Sequence, residues 1–391
     1  MEFKRDDVRP ESLAKEIAAL LNLQGGHVLL GVEDNGSITG LTRDSHDAEE
    51  WVMNICRDHL QPAIIPFWEV IQSDQGKPIG IISLPADSPD RPYKAKRGQH
   101  WQVFVRVGST SREATREEEA RLYQASGLMR YDVKPVPGTG LVDLDMRRLE
   151  NYFRDIRQQG CPPREDQAGW QKLLVNTEIM VEQNGTHMCG AGGLLLFGLR
   201  PNRFLPQAGI SAAAYPGKVK DYATKERAVL RGPIVSLSSQ GGELLEPGLI
   251  EQAIDFVRRN TAVEARIDPA GARQDRWKDY PLEAVRETIV NAIAHRDYTI
   301  AVTDIELSLY EDRLDVISPG RLPNTVTVEG MKLGVRASRN ELIKEVLRDY
   351  RYIEATGLGV PRKIIQGMRD HNGTEPDLIE EEIRFIVRLW K

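Results

Sequence analysis

At 391 residues and 40% apolar composition, the chain is too long for one ordinary domain and apolar enough to build two or three real cores. A net charge of −6 excludes a polycation, so any contact with nucleic acid has to come from a local basic patch. The three cysteines, Cys56, Cys161 and Cys189, are scattered, with no CxxC or Cys/His cluster, which speaks against a disulfide framework and a zinc site. The charged start MEFKRDDVRPE and the absence of any apolar run near ~18 residues point to a reducing cytoplasm and no membrane span.

Residues 10–23 read as a helix, with Pro10 near its start, Leu13, Ile17, Leu20 and Leu21 along it, and Gly25-Gly26 as its stop. Residues 27–32 read as a short buried strand, Glu33-Asp34-Asn35-Gly36 as a turn, and Ile38 as the start of a return strand. Residues 46–60 are expected to be helical, 64–71, 79–84 and 101–107 to be strands, and 115–127 to be a helix rich in Glu and Arg. Strands and helices mix without a regular βαβ alternation, so an α+β domain is expected to end near 130. Lys134-Pro-Val-Pro-Gly-Thr-Gly140 is a linker by composition.

Beyond the linker, 143–158 and 170–183 read as helices, 193–198 as a buried strand or tight helix end, and 210–215 as a strand. Residues 246–260 and 281–296 read as helices, and 303–310 and 313–317 as strands around the turn Glu311-Asp312. Residues 339–350 and 359–370 close the helical set, and 383–389 is a terminal strand. No internal repeat, low-complexity segment or coiled coil is present.

The helix over 281–296 carries the chemistry. Glu287, Asn291 and His295 stand at i, i+4 and i+8 and therefore share one stripe. At about 100° per residue, that stripe lies roughly opposite Leu282, Val285, Ile289 and Ile293. A carboxylate can activate water, and an amide oxygen one turn on can hold Mg²⁺. The competing reading is the solvated polar face of an amphipathic helix. Two further segments are candidates to join it: Arg313–Pro323, a strand running into a Pro-Gly turn, and Gly357-Leu-Gly359, which opens a helix and lets N–H groups approach phosphate.

In that order, helix Glu/Asn, strand–turn and Gly-x-Gly helix resemble the GHKL ATPase fold. Residues 281–391 look more closely like the divergent ATP-binding module of RecG-like proteins, through Asn291-Ala-x-x-His-Arg-Asp-Tyr298, Ser318-Pro-Gly-x-Leu-Pro323 and Ser338-Arg-Asn-x-Leu-Ile343. The resemblance implies an α/β sandwich holding ATP, with Glu287 as the water-activating base, Asn291 as the Mg²⁺ ligand, and Gly357 and Gly359 at the phosphates. Ser318 and Gly320 occupy the turn that reads the base. The family carries an acid at the first position of that turn, where this chain has Ser318, and Leu322 replaces its second glycine. His295 either touches the γ-phosphate or packs and caps the helix end. Arg296 and Asp297 are expected to pair with neighbours at the surface.

At the other end, Glu2-Phe-Lys4 and Gly25-Gly-His-Val-Leu-Leu-Gly-Val-Glu-Asp34-Asn-Gly-x-Ile-x-Gly40 resemble the Schlafen/AlbA-type domain. Tyr93-Lys94, Val105-Arg-Val-Gly-Ser-Thr-Ser111 and Ala114-Thr-Arg-Glu-Glu118 extend that resemblance over about 1–128. In Schlafen RNases three carboxylates gather a divalent metal. Glu2 matches the second and Asp34 the third, with Lys4 beside them to neutralise phosphate. The first lies upstream of Glu-Phe-Lys, a position that Met1 leaves no room for in this sequence. The site so implied is a two-carboxylate one for Mg²⁺ or Mn²⁺, and the competing reading of Asp34 is an ordinary turn residue. Lys94, Lys96, Arg97, Arg106, Arg112 and Arg116 form a basic concentration suited to phosphate, or else a solvated face balanced by Glu113 and Glu117–Glu119. Trp101 nearby reads as core rather than as a base-stacking platform.

The expected architecture is thus multi-domain α+β. It comprises a Schlafen/AlbA-like α+β domain over 1–130, a connecting winged-helix-like region over 141–235, and a GHKL-like α/β sandwich over 240–391. The pairing implies a nucleotide-regulated protein that binds RNA or DNA, forms homo-oligomers, and serves transcription control or phage defence. The alternatives are a metal-dependent tRNA-type endonuclease gated by ATP, and a GHKL ATPase assembly factor with an N-terminal protein-interaction domain.

Overall fold

The structure, a computed structural model, describes residues 1–23, 25–85, 88, 90–126, 130–267, 273–323, 326–335, 338–353, 357–381 and 383–391. It is mixed α+β and divides into two compact units, Met1–Met129 and Arg130–Lys391.

In the first unit the core is built around α1 (Pro10–Leu21). Pro10 suits the first turn, where its missing N–H leaves nothing unpaired. Leu13, Ala14, Ile17, Ala18, Ala19, Leu20 and Leu21 are all buried. A helix buried nearly all round has to be covered on more than one side. Two four-stranded sheets do this: β1 (Glu2–Lys4), β2 (Gly26–Leu30), β5 (Pro78–Leu84) and β4 (Phe67–Gln72) in that order, and β3 (Leu60–Gln61), β6 (Lys94–Arg97), β7 (His100–Val107) and β8 (Thr110–Glu113). Helices α2 (Ser45–Asp58) and α3 (Arg116–Ala125) complete the unit. Glu2 lies in a strand, since β1 pairs parallel with β2 and sets Glu2 opposite Val28. The expected return strand at Ile38 shrinks to a single bridge between Val32 and Ile38. Leu41 N–H then donates to Pro78 O, which draws the chain away from β2 before a ladder can form.

The second unit opens with α4 (Met146–Asn151), which continues as a π-helical turn over Tyr152–Ile156, and α5 (Gln167–Asn176). The helix expected over 170–183 stops at Asn176. Residues β9 (Met180–Gln183) and β10 (Thr186–Cys189) form a hairpin instead, turned by Asn184 and Gly185, both at positive φ. Asn-Gly between short apolar runs is the hairpin signal, and a helical reading of the neighbouring leucines hides it. The stretch around 193–198 is helical, as α6 (Ala191–Phe197).

A six-stranded sheet follows, ordered β12 (Glu226–Leu230), β11 (Ile210–Ala214), β17 (Ile305–Leu309), β18 (Arg313–Pro319), β20 (Arg384–Trp390) and β19 (Asp377–Glu380). β11 and β17 are parallel, and the other neighbours are antiparallel. Two small hairpins pair β13 (Leu237–Ser238) with β14 (Leu244–Glu246), and β15 (Val263–Ile267) with β16 (Arg273–Trp277). The remaining helices are α7 (Leu249–Arg259), α8 (Leu282–Ala294), α9 (Val328–Lys332), α10 (Glu341–Asp349), a π-helix over Gly359–Gln366, and α11 (Gly367–Asn372). α8 packs against α7, β18, the π-helix and α11. The sheet therefore crosses the division expected between 235 and 240. One apolar cluster joins Leu149, Phe153, Trp170 and Leu174 to Val285, Ile289, Leu307 and Leu389, so the middle segment and the C-terminal sandwich share a core.

Candidate functional site

Helix α8 is buried on more than its apolar side. Val285, Ile289 and Ile293 are covered, but so are Glu287 and Thr288, which rules out a freely solvated polar face. Glu287, Asn291 and His295 line one cavity of about 1190 Å³, its open mouth included. Ser318, Gly320, Gly357 and Gly359 line the same cavity, so all seven residues expected from α8, the strand–turn and the glycine segment converge. β18, β19 and β20 add an apolar wall of Val316, Leu378, Phe385 and Val387. Lys344 and Arg321 bring cations to the lining.

Within the cavity Asn291 Nδ2 donates to Glu287 Oε1 at 3.1 Å, which leaves the amide oxygen as the atom able to ligate a cation. Lys363 Nζ stands 3.8 Å from Glu287 Oε2. A Cβ at Gly359 would collide with the Glu287 carboxylate, so any other residue there would displace that carboxylate from its place in the cavity. Gly357 sits at φ 76°, the left-handed region that glycine alone enters without strain. Thr288 Oγ1 is fully buried and has no hydrogen-bond partner among the described residues. Burial, reinforced by Arg339 and Lys344, pushes the His295 imidazole down to about 4, so it is neutral near pH 7. An apolar wall, a carboxylate–amide pair and nearby lysines fit a nucleotide with a divalent cation.

The end of α8 explains residues that the sequence reading left without roles. The last carbonyls of a helix have no intrahelical partner. Here every carbonyl from Ala292 to Arg296 receives a side chain. Ser318 Oγ donates to Ala292 O (2.8 Å), Tyr298 Oη to Ile293 O (3.2 Å), Arg339 to His295 O (3.0 Å), and Asn340 Nδ2 to both Ala294 O (3.0 Å) and Arg296 O (2.9 Å). Arg339 also donates to Arg321 O at 2.8 Å, tying the helix end to the turn after Gly320. Thus the three short phrases around Asn291, Ser318 and Ser338 meet at one helix terminus. Arg296 is not at the surface as expected. It is 0% exposed and donates to the carbonyls of Asp297, Ile300 and Thr303. Asp297 is buried too, and accepts from Thr299. Asp315, three residues before Ser318, binds Arg388 (2.8 Å) on the opposite face of the sheet.

The N-terminal set is arranged differently. Glu2 accepts from Lys4 at 2.5 Å and from Arg106 at 2.6 Å, and these two cations outweigh burial to hold its carboxyl below the ordinary range. Asp34 stands exposed in the turn closed by Gly36 N–H on Glu33 O. Among the described residues no group of three or more His, Cys, Asp and Glu could hold a metal ion. Among the basic residues, Arg106 is committed to Glu2 and Arg112 forms a bidentate pair with Glu118. Lys94 lies over the Tyr123 ring, while Lys96, Arg97 and Arg116 are exposed. Trp101, expected in the core, is 40% exposed. Cys56 and Cys189 are buried and their thiols pushed up to about 12, which leaves them unreactive. No helix among the described residues is long and apolar enough to cross a membrane.

Comparison with known proteins places these features. The Schlafen AlbA_2 family model matches residues 1–115, and the family model described as "Putative ATP-dependent DNA helicase recG C-terminal" matches residues 303–389. Among solved structures, the DIP2311 protein from Corynebacterium diphtheriae is 20% identical over 100% of this chain and 74% of its own, with a TM-score of 0.46. The N-terminal domain of a RecG-related protein from Nitrosomonas europaea is 24% identical over 29% of this chain and 82% of its own, with a TM-score of 0.23. No curated protein matches the chain. The chain therefore joins a Schlafen/AlbA_2-type domain at its N-terminus to a RecG C-terminal-like, ATPase-type domain at its C-terminus.

Proposed function

We propose that the Arg130–Lys391 unit binds ATP in the α8 cavity and that nucleotide state governs nucleic-acid binding by the Met1–Met129 unit. One observation carries this reading: Glu287 and Asn291 of α8, Ser318 of β18 and Gly359 of the π-helix, three segments separated in sequence, line a single cavity with an apolar wall. The apolar strands suit a base, and Lys344, Arg321 and the glycine segment suit phosphates. Asn291 Oδ1 would hold Mg²⁺, which when bound neutralises phosphate charge. Glu287 is placed to take a proton from water, with Asn291 and Lys363 fixing its carboxylate. The Ser318 hydroxyl is already donating to Ala292 O, so it offers a ligand only an acceptor, which favours a base bearing an amino group.

The test is binding and turnover by the full chain with Mg²⁺. The parent is expected to bind a fluorescent ATP analogue and to prefer ATP over ITP. Glu287→Ala is expected to keep binding and lose at least tenfold in turnover. A parent that binds no nucleotide overturns the reading, and unchanged turnover in Glu287→Ala removes the base from Glu287. The first unit reads as binding rather than cleaving, because Lys4 and Arg106 neutralise the Glu2 carboxylate. Cleavage that needs Mg²⁺ or Mn²⁺ and is lost in Asp34→Ala would reverse that. Control of transcription, defence against phage and ligand-driven homo-oligomerisation are the finer roles that this pairing suggests.

A further inference from the structure

Helix α10 begins without a cap of its own. Asn340 stands at its N-cap position, but the Asn340 amide is committed to Ala294 O and Arg296 O at the end of α8 and makes no cap bond to the α10 backbone. The first N–H groups of a helix need an acceptor from outside it. Asp132 supplies one from 210 residues away: its Oδ2 accepts from Leu342 N–H at 2.6 Å. Asp132 is 0% exposed. Gly192, the second residue of α6, makes this approach possible. Its N–H donates to Asp132 O at 2.6 Å, and a Cβ there would lie 2.9 Å from that oxygen and 3.1 Å from Leu342 Cδ2.

Asp132 is the third residue of the second unit, which begins at Arg130. Tyr131 beside it reaches the other helix of the nucleotide cavity. Its ring stacks on Tyr298 with centroids 6.4 Å apart, and Gln207 Nε2 donates to both Tyr131 Oη (3.2 Å) and Tyr298 O (2.7 Å). Tyr298 Oη in turn donates to Ile293 O of α8. Neither Tyr131 nor Asp132 lines the cavity, but what they hold does. Lys344 N–H closes the first turn of α10 on Asn340 O, and the Lys344 side chain lines the cavity. Arg339 and Asn340, at the start of α10, fix the end of α8 that carries Asn291 and His295. Without the Asp132 acceptor, Leu342 N–H would be a buried donor with no partner, a cost that fraying of the first turn relieves. That turn is the one that carries Lys344.

We infer that Asp132 is a positioning residue of the nucleotide site, and that through Asp132 and Tyr131 nucleotide occupancy is felt where the chain enters the second unit. The inference rests on the nucleotide reading above and names the residues through which the cavity acts on the rest of the chain. Coupling of this kind is reciprocal: whatever orders the entry point tightens nucleotide binding, and whatever displaces it weakens nucleotide binding.

The experiment joins titration of the full chain with a fluorescent ATP analogue and Mg²⁺ to hydrogen exchange read by mass spectrometry. Asp132→Ala is expected to bind the analogue roughly fivefold more weakly, the factor that one lost helix cap represents. Asp132→Asn keeps an acceptor for Leu342 N–H and is expected to recover most of that affinity. Asp166→Ala is the control. Asp166 caps α5 in the same unit by accepting from Gly169 N–H at 2.9 Å, so its removal costs a cap without touching α10, and parental affinity is expected. In the parent, saturating analogue is expected to slow exchange over residues 130–134 as well as over 341–345, and in Asp132→Ala to leave 130–134 unchanged. Parental affinity in Asp132→Ala, no recovery in Asp132→Asn, or an equal loss in Asp166→Ala overturns the positioning role. Exchange over 130–134 that is indifferent to bound analogue in the parent overturns the coupling, and this measurement alone decides the inference if circular dichroism shows Asp132→Ala unfolded. A parent that binds no analogue instead overturns the nucleotide reading itself.

Discussion

His295 shows how a single side chain is set by its surroundings. Desolvation first, then Arg339 and Lys344, depress its imidazole from 6.5 to about 4, so the folded state prefers it neutral. Between these two values the unfolded chain binds the extra proton and the folded chain does not. The stabilisation is therefore complete above about pH 6.5 and is lost as pH falls towards 4, by about 3 kcal/mol. Urea unfolding of the parent at pH 7 and pH 4.5 is expected to show that loss, and His295→Gln to reduce the difference. Glu2 shifts in the same direction for a different reason: Lys4 and Arg106 outweigh burial and lower its carboxyl, so the stability they contribute is present above its unfolded value of 4.5 and fades below it. The Glu287 carboxylate was recognisable from its spacing to Asn291. Its dependence on a glycine at position 359 was not, because that contact joins residues 72 positions apart.

At the scale of the element, α8 ends where three segments reach it. Ser318 from β18, Tyr298 from the loop after the helix, and Arg339 and Asn340 before α10 cover its final carbonyls. Asn340 is 0% exposed, so Asn340→Ala leaves two buried carbonyls without a donor. That change is expected to cost about 2 kcal/mol in urea unfolding. It should also weaken ATP-analogue binding, because His295 and Asn291 lie in the last turn it supports. The helix itself was readable from apolar periodicity. The hairpin β9–β10 was not read, since Leu173, Leu174 and Val175 continue a helical pattern up to the break at Glu178, which adopts φ 59°.

At the scale of the molecule, the two compact units have separate apolar clusters, one built on α1 and the other shared by α4 through β20. Two unfolding transitions are therefore expected in calorimetry. An ATP analogue with Mg²⁺ at about 100 times its dissociation constant should stabilise one of them by about 2.7 kcal/mol and leave the other in place. A single transition, or one in which both shift equally, would contradict this. The sequence by itself determined the two domain types, the residues on one stripe of α8, and the glycines that accompany them, because helical and strand periodicity and short backbone motifs are local. Tertiary structure alone decided that the middle segment shares a core with the C-terminal sheet, that Arg339 and Asn340 close α8, that Lys4 and Arg106 neutralise Glu2, and that Asp132 caps α10. Apart from the local Lys4–Glu2 pair, these depend on contacts between residues distant in the chain, and burial, charge pairing and cavity shape exist only once those distances are closed.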